Sequence, residues 1–248
     1  MCIDRVGRVK FKFFQIKCIH FAFILYMLLF FYDIIVCVGR INMKFKDFWD
    51  NAQATYSTNG EEYSSWLDKY AEKFSRCGTK VLDLGCGIGC DTDYLTQKGL
   101  EVIACDFSDV ALRRLKERVP SVKTMLLDIS EPLPFENNSF DLIIADLSLH
   151  YFDEKTTEKI MEEIKRILSP GGCLLARVNS IYDVNHGAGN GEKIEDNYYF
   201  VGGYNKRFFT IEDAQRFFSI IGKVKATEEN MSRYNKPKMV VEIEVEKQ

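Results

Sequence analysis

The segment Val81-Leu82-Asp83-Leu84-Gly85-Cys86-Gly87-Ile88-Gly89-Cys90-Asp91-Thr92 constrains this chain more than any other feature. An apolar run that passes through Gly-x-Gly-x-Gly into a polar, helix-compatible stretch reads as strand, tight turn and helix. Glycines at the turn let backbone amides come close to a ligand, since no Cβ stands in the way. A dinucleotide-binding fold uses a similar turn, but its fingerprint places a third glycine three residues after the second. That position is Cys90. A nicotinamide-dependent dehydrogenase is therefore a poor match.

The pattern downstream alternates strands and helices. Glu101–Asp106 reads as a second strand, and Ser108 as the cap of a helix with Ala111, Leu112, Leu115 and Val119 on one face, ended by Pro120. Val122–Leu127 and Phe140–Asp146 read as the third and fourth strands. Ile160, Ile164, Ile167 and Leu168 mark the next helix, closed by a turn at Ser169-Pro170-Gly171-Gly172, and Cys173–Val178 is a fifth strand. Such alternation implies a parallel sheet covered on both faces. Thr210-Ile211-Glu212-Asp213 resembles a capping box that opens a helix through Ile221. Val241, Ile243 and Val245 alternate with glutamates, so two closing strands form an antiparallel hairpin at the sheet edge. Upstream, Tyr63, Trp66, Leu67, Tyr70 and Phe74 share one helical face. Residues 179–209 show no clear period and read as an insertion.

With these residues in place, the chain resembles the class I S-adenosylmethionine-dependent methyltransferases, in their small-molecule branch. The acid before Gly-x-Gly (Asp83) matches that family's first motif. Asp106 stands where the family holds the two ribose hydroxyls, and Asp128-Ile129 where it reads the adenine. The runs Pro132-Leu133-Pro134-Phe135, Asn138-Ser139-Phe140-Asp141 and Leu168 through Gly172 agree in order and spacing. The resemblance covers residues 78–180. It implies a Rossmann-like, mainly parallel seven-stranded α/β sheet with helices on both faces and an antiparallel C-terminal strand. It also implies S-adenosyl-L-methionine as cofactor, held by Asp83, Gly85, Cys86, Gly87, Asp106, Phe107, Asp128, Ile129, Asp146 and Leu147.

Methyl transfer from a sulfonium is an in-line displacement that asks mainly for alignment and exclusion of water. A general base matters only where the acceptor is protonated. His150, after the fourth strand, and His186, in the insertion, are the candidates for that role. The acceptor is expected under a helical lid at 43–76 and the insertion at 179–209, which hold Trp49, Tyr56, Tyr63, Trp66, Tyr182, Tyr198, Tyr199, Tyr204 and Phe208. Those aromatics serve equally well as a satellite core. The Asn-Pro-Pro-Tyr type of motif of amino-group methylases is absent after the fourth strand, where Asp146-Leu147-Ser148-Leu149 stands, and there is no Pro-Cys dipeptide. A small-molecule acceptor is the expectation. A donor-binding sensor or interaction module without catalysis is the competing reading.

Charge divides the chain. Residues 1–42 hold six Lys/Arg against two Asp/Glu, a net of +4; the remaining 27 against 34 leave 43–248 at −7. An acidic body argues against nucleic acid as the main partner. The eight cysteines form no CxxC pair and read as free thiols of a reducing, cytoplasmic compartment, with no metal site expected. Within 1–42, residues 18–38 approach membrane length, but the unbroken apolar run is only Phe21–Tyr32, and Asp33 at depth costs about 2.5–3.5 kcal/mol. A membrane tether, a hydrophobic helix and an extension outside the natural product are the three readings. The last, with translation from Met43 and a methyltransferase domain over 43–248, is preferred.

Overall fold

Alternating side chains of the parallel strands feed two separate apolar layers, and this division places the functional residues. The structure, a computed structural model, describes residues 46–55, 66–74, 79–231, 234 and 236–248. The expectations for residues 1–42, the start at Met43, and Tyr56 and Tyr63 lie outside the described residues. Trp49–Gln248 folds as one unit.

The main strands are β1 (Lys80–Leu84), β2 (Glu101–Asp106), β3 (Lys123–Leu126), β4 (Phe140–Asp146) and β5 (Leu168–Asn179). A smaller group, β6 (Glu192–Glu195), β7 (Tyr198–Val201) and β8 (Tyr204–Arg207), precedes the closing pair β9 (Gly222–Met231) and β10 (Lys238–Lys247). The helices are α1 (46–55), α2 (Ala71–Phe74), α3 (Cys90–Gln97), α4 (Asp109–Arg118), α5 (Glu154–Ile167) and α6 (Ile211–Phe218). Seven strands form one sheet in the order β3-β2-β1-β4-β5-β10-β9, with β10 antiparallel to both neighbours and the other contacts parallel. This is the expected mainly parallel Rossmann-like sheet, closed by the expected hairpin.

Leu82, Leu84, Ile143, Ala145, Leu174 and Ala176 face α5 and α6. Val81, Leu142, Ile144 and Leu175 face α3, α4 and the 66–74 segment. Asp83 shares the face of Val81 by the period of two, which turns its carboxylate toward α3. The helices begin where side chains satisfy their first amides. Ser108 caps α4, Asp153 caps α5, and Thr210 with Asp213 forms a reciprocal box on α6.

Three local expectations need correction. The turn at 169–172 is absorbed into β5: Phe140 pairs with Leu168, and the register shifts before Leu142 pairs with Cys173. Gly171 takes φ of 71° within that irregularity. The last helix stops at Phe218 rather than Ile221. Residues 66–74 make a 3-10 turn at Asp68–Tyr70 leading into α2, not one continuous helix.

The 179–209 stretch is not irregular. It holds an antiparallel sheet in the order β6-β7-β8. Each connection has two residues, Asp196-Asn197 and Gly202-Gly203, with Asn197 and both glycines at positive φ. Arg207 ties this sheet to the loop after β4: its amide donates to the His150 carbonyl at 2.7 Å, and its guanidinium pairs with Glu195 at 2.5 Å.

Gly89 illustrates how tightly the β1–α3 turn is built. Its φ is 83°, and a Cβ there would lie 2.1 Å from Leu115 Cδ1 of α4. Gly89→Ala is expected to lose about 1–3 kcal/mol through strain and displacement of that leucine. Urea unfolding of the variant beside the parent measures the loss.

Candidate functional site

The strand order reverses between β1 and β4, and the crevice of an open α/β sheet lies at such a switch point, outside the carboxyl ends of the strands. The glycine turn occupies this place. The amides of Gly85 and Cys86 both donate to the Cys105 carbonyl, at 2.8 and 2.9 Å, folding the turn toward β2. The Gly87 amide then donates to Asp106 Oδ2 at 2.8 Å, and the Ser108 amide to Asp106 Oδ1 at 2.8 Å. Gly85 is required sterically, because a Cβ would fall 2.3 Å from Ser148 Cβ. Gly87 differs: a Cβ there would meet only the Gln53 side chain, at 3.8 Å, so open space lies above it.

Burial pushes the Asp106 carboxyl above the ordinary carboxylate range, and Asp50 adds repulsion. The amides of Ser108, Gly87 and Phe107 pull it back. At the end of β3, Asp128 Oδ1 accepts the amide and hydroxyl of Ser130 at 2.9 and 2.6 Å. Among the described residues Asp128 Oδ2 has no partner. Ile129 packs against the core and reaches 3.6 Å from the Cβ position of Gly85. Gly85, Cys86, Gly87, Asp106 and Phe107 thus meet in one place, with Ile129 beside Gly85.

Asp83 and Asp146 turn elsewhere. Asp83 is 2% exposed and accepts the Thr92 hydroxyl at 2.5 Å, so it braces α3 against β1. Burial, then the charge of Asp91, drives its carboxyl upward. Asp146 forms a buried two-pronged ion pair with Arg177, at 2.7 and 2.8 Å. Arg177 also lies 4.4 Å above the Trp66 ring. Leu147 sits at φ of 58°, with its amide on the Arg177 carbonyl.

The two histidines part company in their contacts. His150 is 2% exposed, and its Nδ1 has no hydrogen-bond partner. Desolvation, followed by the charges of Lys238 and Lys206, holds its pKa well below the usual histidine value. His186 is partly exposed and bonds Asp183 through Nδ1 at 2.7 Å. Arg177, Asn179 and Lys238 escaped the sequence reading. The signal for Arg177 was present, an arginine within the apolar run Leu174-Leu175-Ala176-Arg177-Val178. Lys238 carried none.

Residues 81–172 match the family model described as a methyltransferase domain. This stretch spans β1 to the start of β5 and holds the whole glycine crevice. Residues 81–172 carry a methyltransferase domain. Over 119 residues the chain is 39% identical to an uncharacterized methyltransferase of Synechocystis, covering 48% of this chain and 55% of the relative. It is 31% identical over 155 residues to a tRNA N(3)-methylcytidine methyltransferase of Drosophila melanogaster, covering 57% of this chain and 48% of that one. The chain spans about half the length of these curated relatives. Among solved structures it resembles the 1,6-didemethyltoxoflavin-N1-methyltransferase of Burkholderia thailandensis, with a TM-score of 0.62, 18% identity and coverage of 85% and 88% of the two chains. At that identity the likeness concerns the methyltransferase fold. Among the described residues no helix is long and apolar enough to cross a membrane.

The depressed His150 pKa fixes a sign for pH dependence. Below about 6.5 the unfolded chain takes up a proton that the folded methyltransferase domain refuses, so stability falls as pH drops from there toward the folded pKa. Asp83 and Asp106, both raised, act in the opposite sense. The test is therefore a difference. Between pH 7.5 and 5.5, His150→Gln is expected to lose less stability than the parent, as read by urea midpoints at the two pH values.

Proposed function

We propose that this chain transfers a methyl group from S-adenosylmethionine to a small-molecule acceptor. The observation that carries the reading is the bond from the Gly87 amide to Asp106 Oδ2, which holds a carboxylate beside an open glycine turn. The residues fit the donor. A carboxylate offers about four lone-pair positions, so Asp106 keeps room for sugar hydroxyls beyond its amide partners. The turn at Gly85–Gly87 presents backbone to the methionine end. Asp128 Oδ2 and the Ile129 side chain suit the amino group and ring of adenine.

Bound S-adenosylmethionine supplies a methyl on a sulfonium that needs no further activation. The protein's work is then positional. Asp106 orients the sugar, while Gly87, free of a Cβ, admits the ligand to backbone contact. Trp49, Tyr151 and Tyr204, whose neighbouring ring centroids lie 5.2–5.9 Å apart, offer electron-rich faces to the sulfonium's positive charge and keep water out. A small acceptor, rather than nucleic acid, is supported by the net charge of −7 over residues 43–248. Expected location is the cytoplasm, where the donor is made available.

One observation favours the competing, non-catalytic reading. Tyr204 of β8 packs on both Tyr151 and Trp49. Donor binding without turnover on small molecules or on tRNA would select that reading.

Calorimetry of the full chain with S-adenosylhomocysteine tests donor binding. Asp106→Asn, which retains shape but loses charge and one acceptor oxygen, is expected to weaken binding at least tenfold, about 1.4 kcal/mol. Absence of binding by the parent chain overturns the proposal.

A further inference from the structure

The C-terminal edge of the sheet carries a second polar cluster, away from the glycine turn. Lys238, the first residue of β10, is buried and donates to Asn179 Oδ1 at 2.7 Å and Asp183 Oδ2 at 2.8 Å. Asn179 ends β5 and is 1% exposed, and its amide nitrogen has no partner. His150 Nδ1 is likewise buried and unpartnered. Both Lys238 and Lys206 lie close enough to His150 to act on its charge. Lys206, on β8 and half-buried, donates to the His186 carbonyl at 3.3 Å and stands 4.8 Å over the Tyr204 ring.

The charges in this cluster do not balance. Asp183 is ion-paired to Lys238 and is also the carboxylate that acts on Lys206. Arg177 is matched by Asp146. One negative charge therefore serves two ammonium groups among the described residues. A desolvated, incompletely compensated cation and two orphaned polar nitrogens are each costly, and a buried polar group without a partner calls for an explanation. A single bound anion answers all of them, by accepting from Asn179 Nδ2, the His150 ring and Lys206. Within the seven-stranded sheet Lys238 on β10 stands three strands from β1 and Asn179 on β5 two, roughly 14 and 10 Å at about 4.8 Å per strand, while His150 follows β4, the neighbour of β1. Tyr151 bridges the two regions, since its ring contacts that of His150 and its hydroxyl feels Asp106 and Asp146.

We propose that His150, Asn179, Lys206 and Lys238 form an anchoring subsite for an anionic oxygen group on the methyl acceptor, a carboxylate or a phosphate. This rests on the methyl-transfer reading and narrows its substrate class to small acids. The aromatic rings of Tyr151 and Tyr204 at the same place suit a planar body behind the charged group.

The test uses the full chain, with and without saturating S-adenosylhomocysteine, titrated with benzoate, phenyl phosphate and the uncharged benzamide. At least one anion is expected to bind at least tenfold more tightly than benzamide and to shift the His150 ring nitrogen signals. Preference for benzoate identifies a carboxylate, and preference for phenyl phosphate identifies a phosphate. Lys206→Met is expected to cut anion affinity at least tenfold, Lys206→Arg to keep most of it, and neither to change S-adenosylhomocysteine affinity more than twofold. Equal binding of benzamide and the anions, no anion binding, or anion binding indifferent to Lys206→Met overturns the subsite. Loss of S-adenosylhomocysteine binding in the parent overturns the donor reading instead, and the titrations without it still decide the subsite.

Discussion

The hydrogen bond from the Gly87 amide to Asp106 is the constraint on which the rest of the site depends. It joins the turn after β1 to the end of β2, two adjacent parallel strands. Neither half is a ligand site alone. A glycine turn without the carboxylate offers only backbone, and a carboxylate at a strand end without the turn has no neighbour to define a crevice. The Ser108 amide on the other oxygen locks the carboxylate's orientation and, through the Ser108 cap, couples it to α4. Steric demands keep the arrangement intact. Gly85 has no room for a Cβ beside Ser148, and Gly89 none beside Leu115, while Gly87 alone among the three faces open space.

Behind that crevice, the face of the sheet that meets α3 carries an unusual amount of buried charge. Asp83, bonded to Thr92 of α3, and Asp146, paired with Arg177, lie on it, and Asp91 of α3 accepts from Trp66 across the layer that covers it. These groups hold α3 and the 66–74 segment to the sheet through directional bonds, where the opposite face relies on apolar packing against α5 and α6. A buried ion pair is a weak source of net stability, but it fixes geometry, because breaking one partner leaves an uncompensated charge. The site is therefore built on a rigid polar floor. The proposed acceptor subsite is assembled differently, from residues distant in sequence: His150 after β4, Asn179 ending β5, Lys206 on β8 and Lys238 opening β10.

The same distinction decides how much could be read from the sequence. The crevice was legible because its members are local. Strand, Gly-x-Gly-x-Gly and helix lie within twelve residues, and Asp106 follows at the end of the next apolar run. The strands and capped helices were legible for the same reason, as were the closing β9 and β10. What escaped was either masked by composition or set by tertiary contact. The β6-β7-β8 sheet has strands of only four residues each, too short to show a period, although Gly202-Gly203 between Phe200-Val201 and Tyr204 was a usable hairpin signal. The turn at 169–172 extends β5 because Leu168 finds a partner in Phe140, a contact visible only once the sheet is formed. Asp83, read as a ligand residue, points into the α3 face through strand alternation. Asn179 and Lys238 lie 59 residues apart and meet only because β10 returns antiparallel to β5.

Amide hydrogen exchange across a titration with S-adenosylhomocysteine reads the central claim at the atoms that make it. Slowing of exchange concentrated in Gly85–Gly89 and at Phe107 and Ser108 is the predicted result, since ligand seated between turn and carboxylate stiffens both together. Binding that leaves those amides unprotected, while slowing others remote from the β1–β2 edge, would contradict the account.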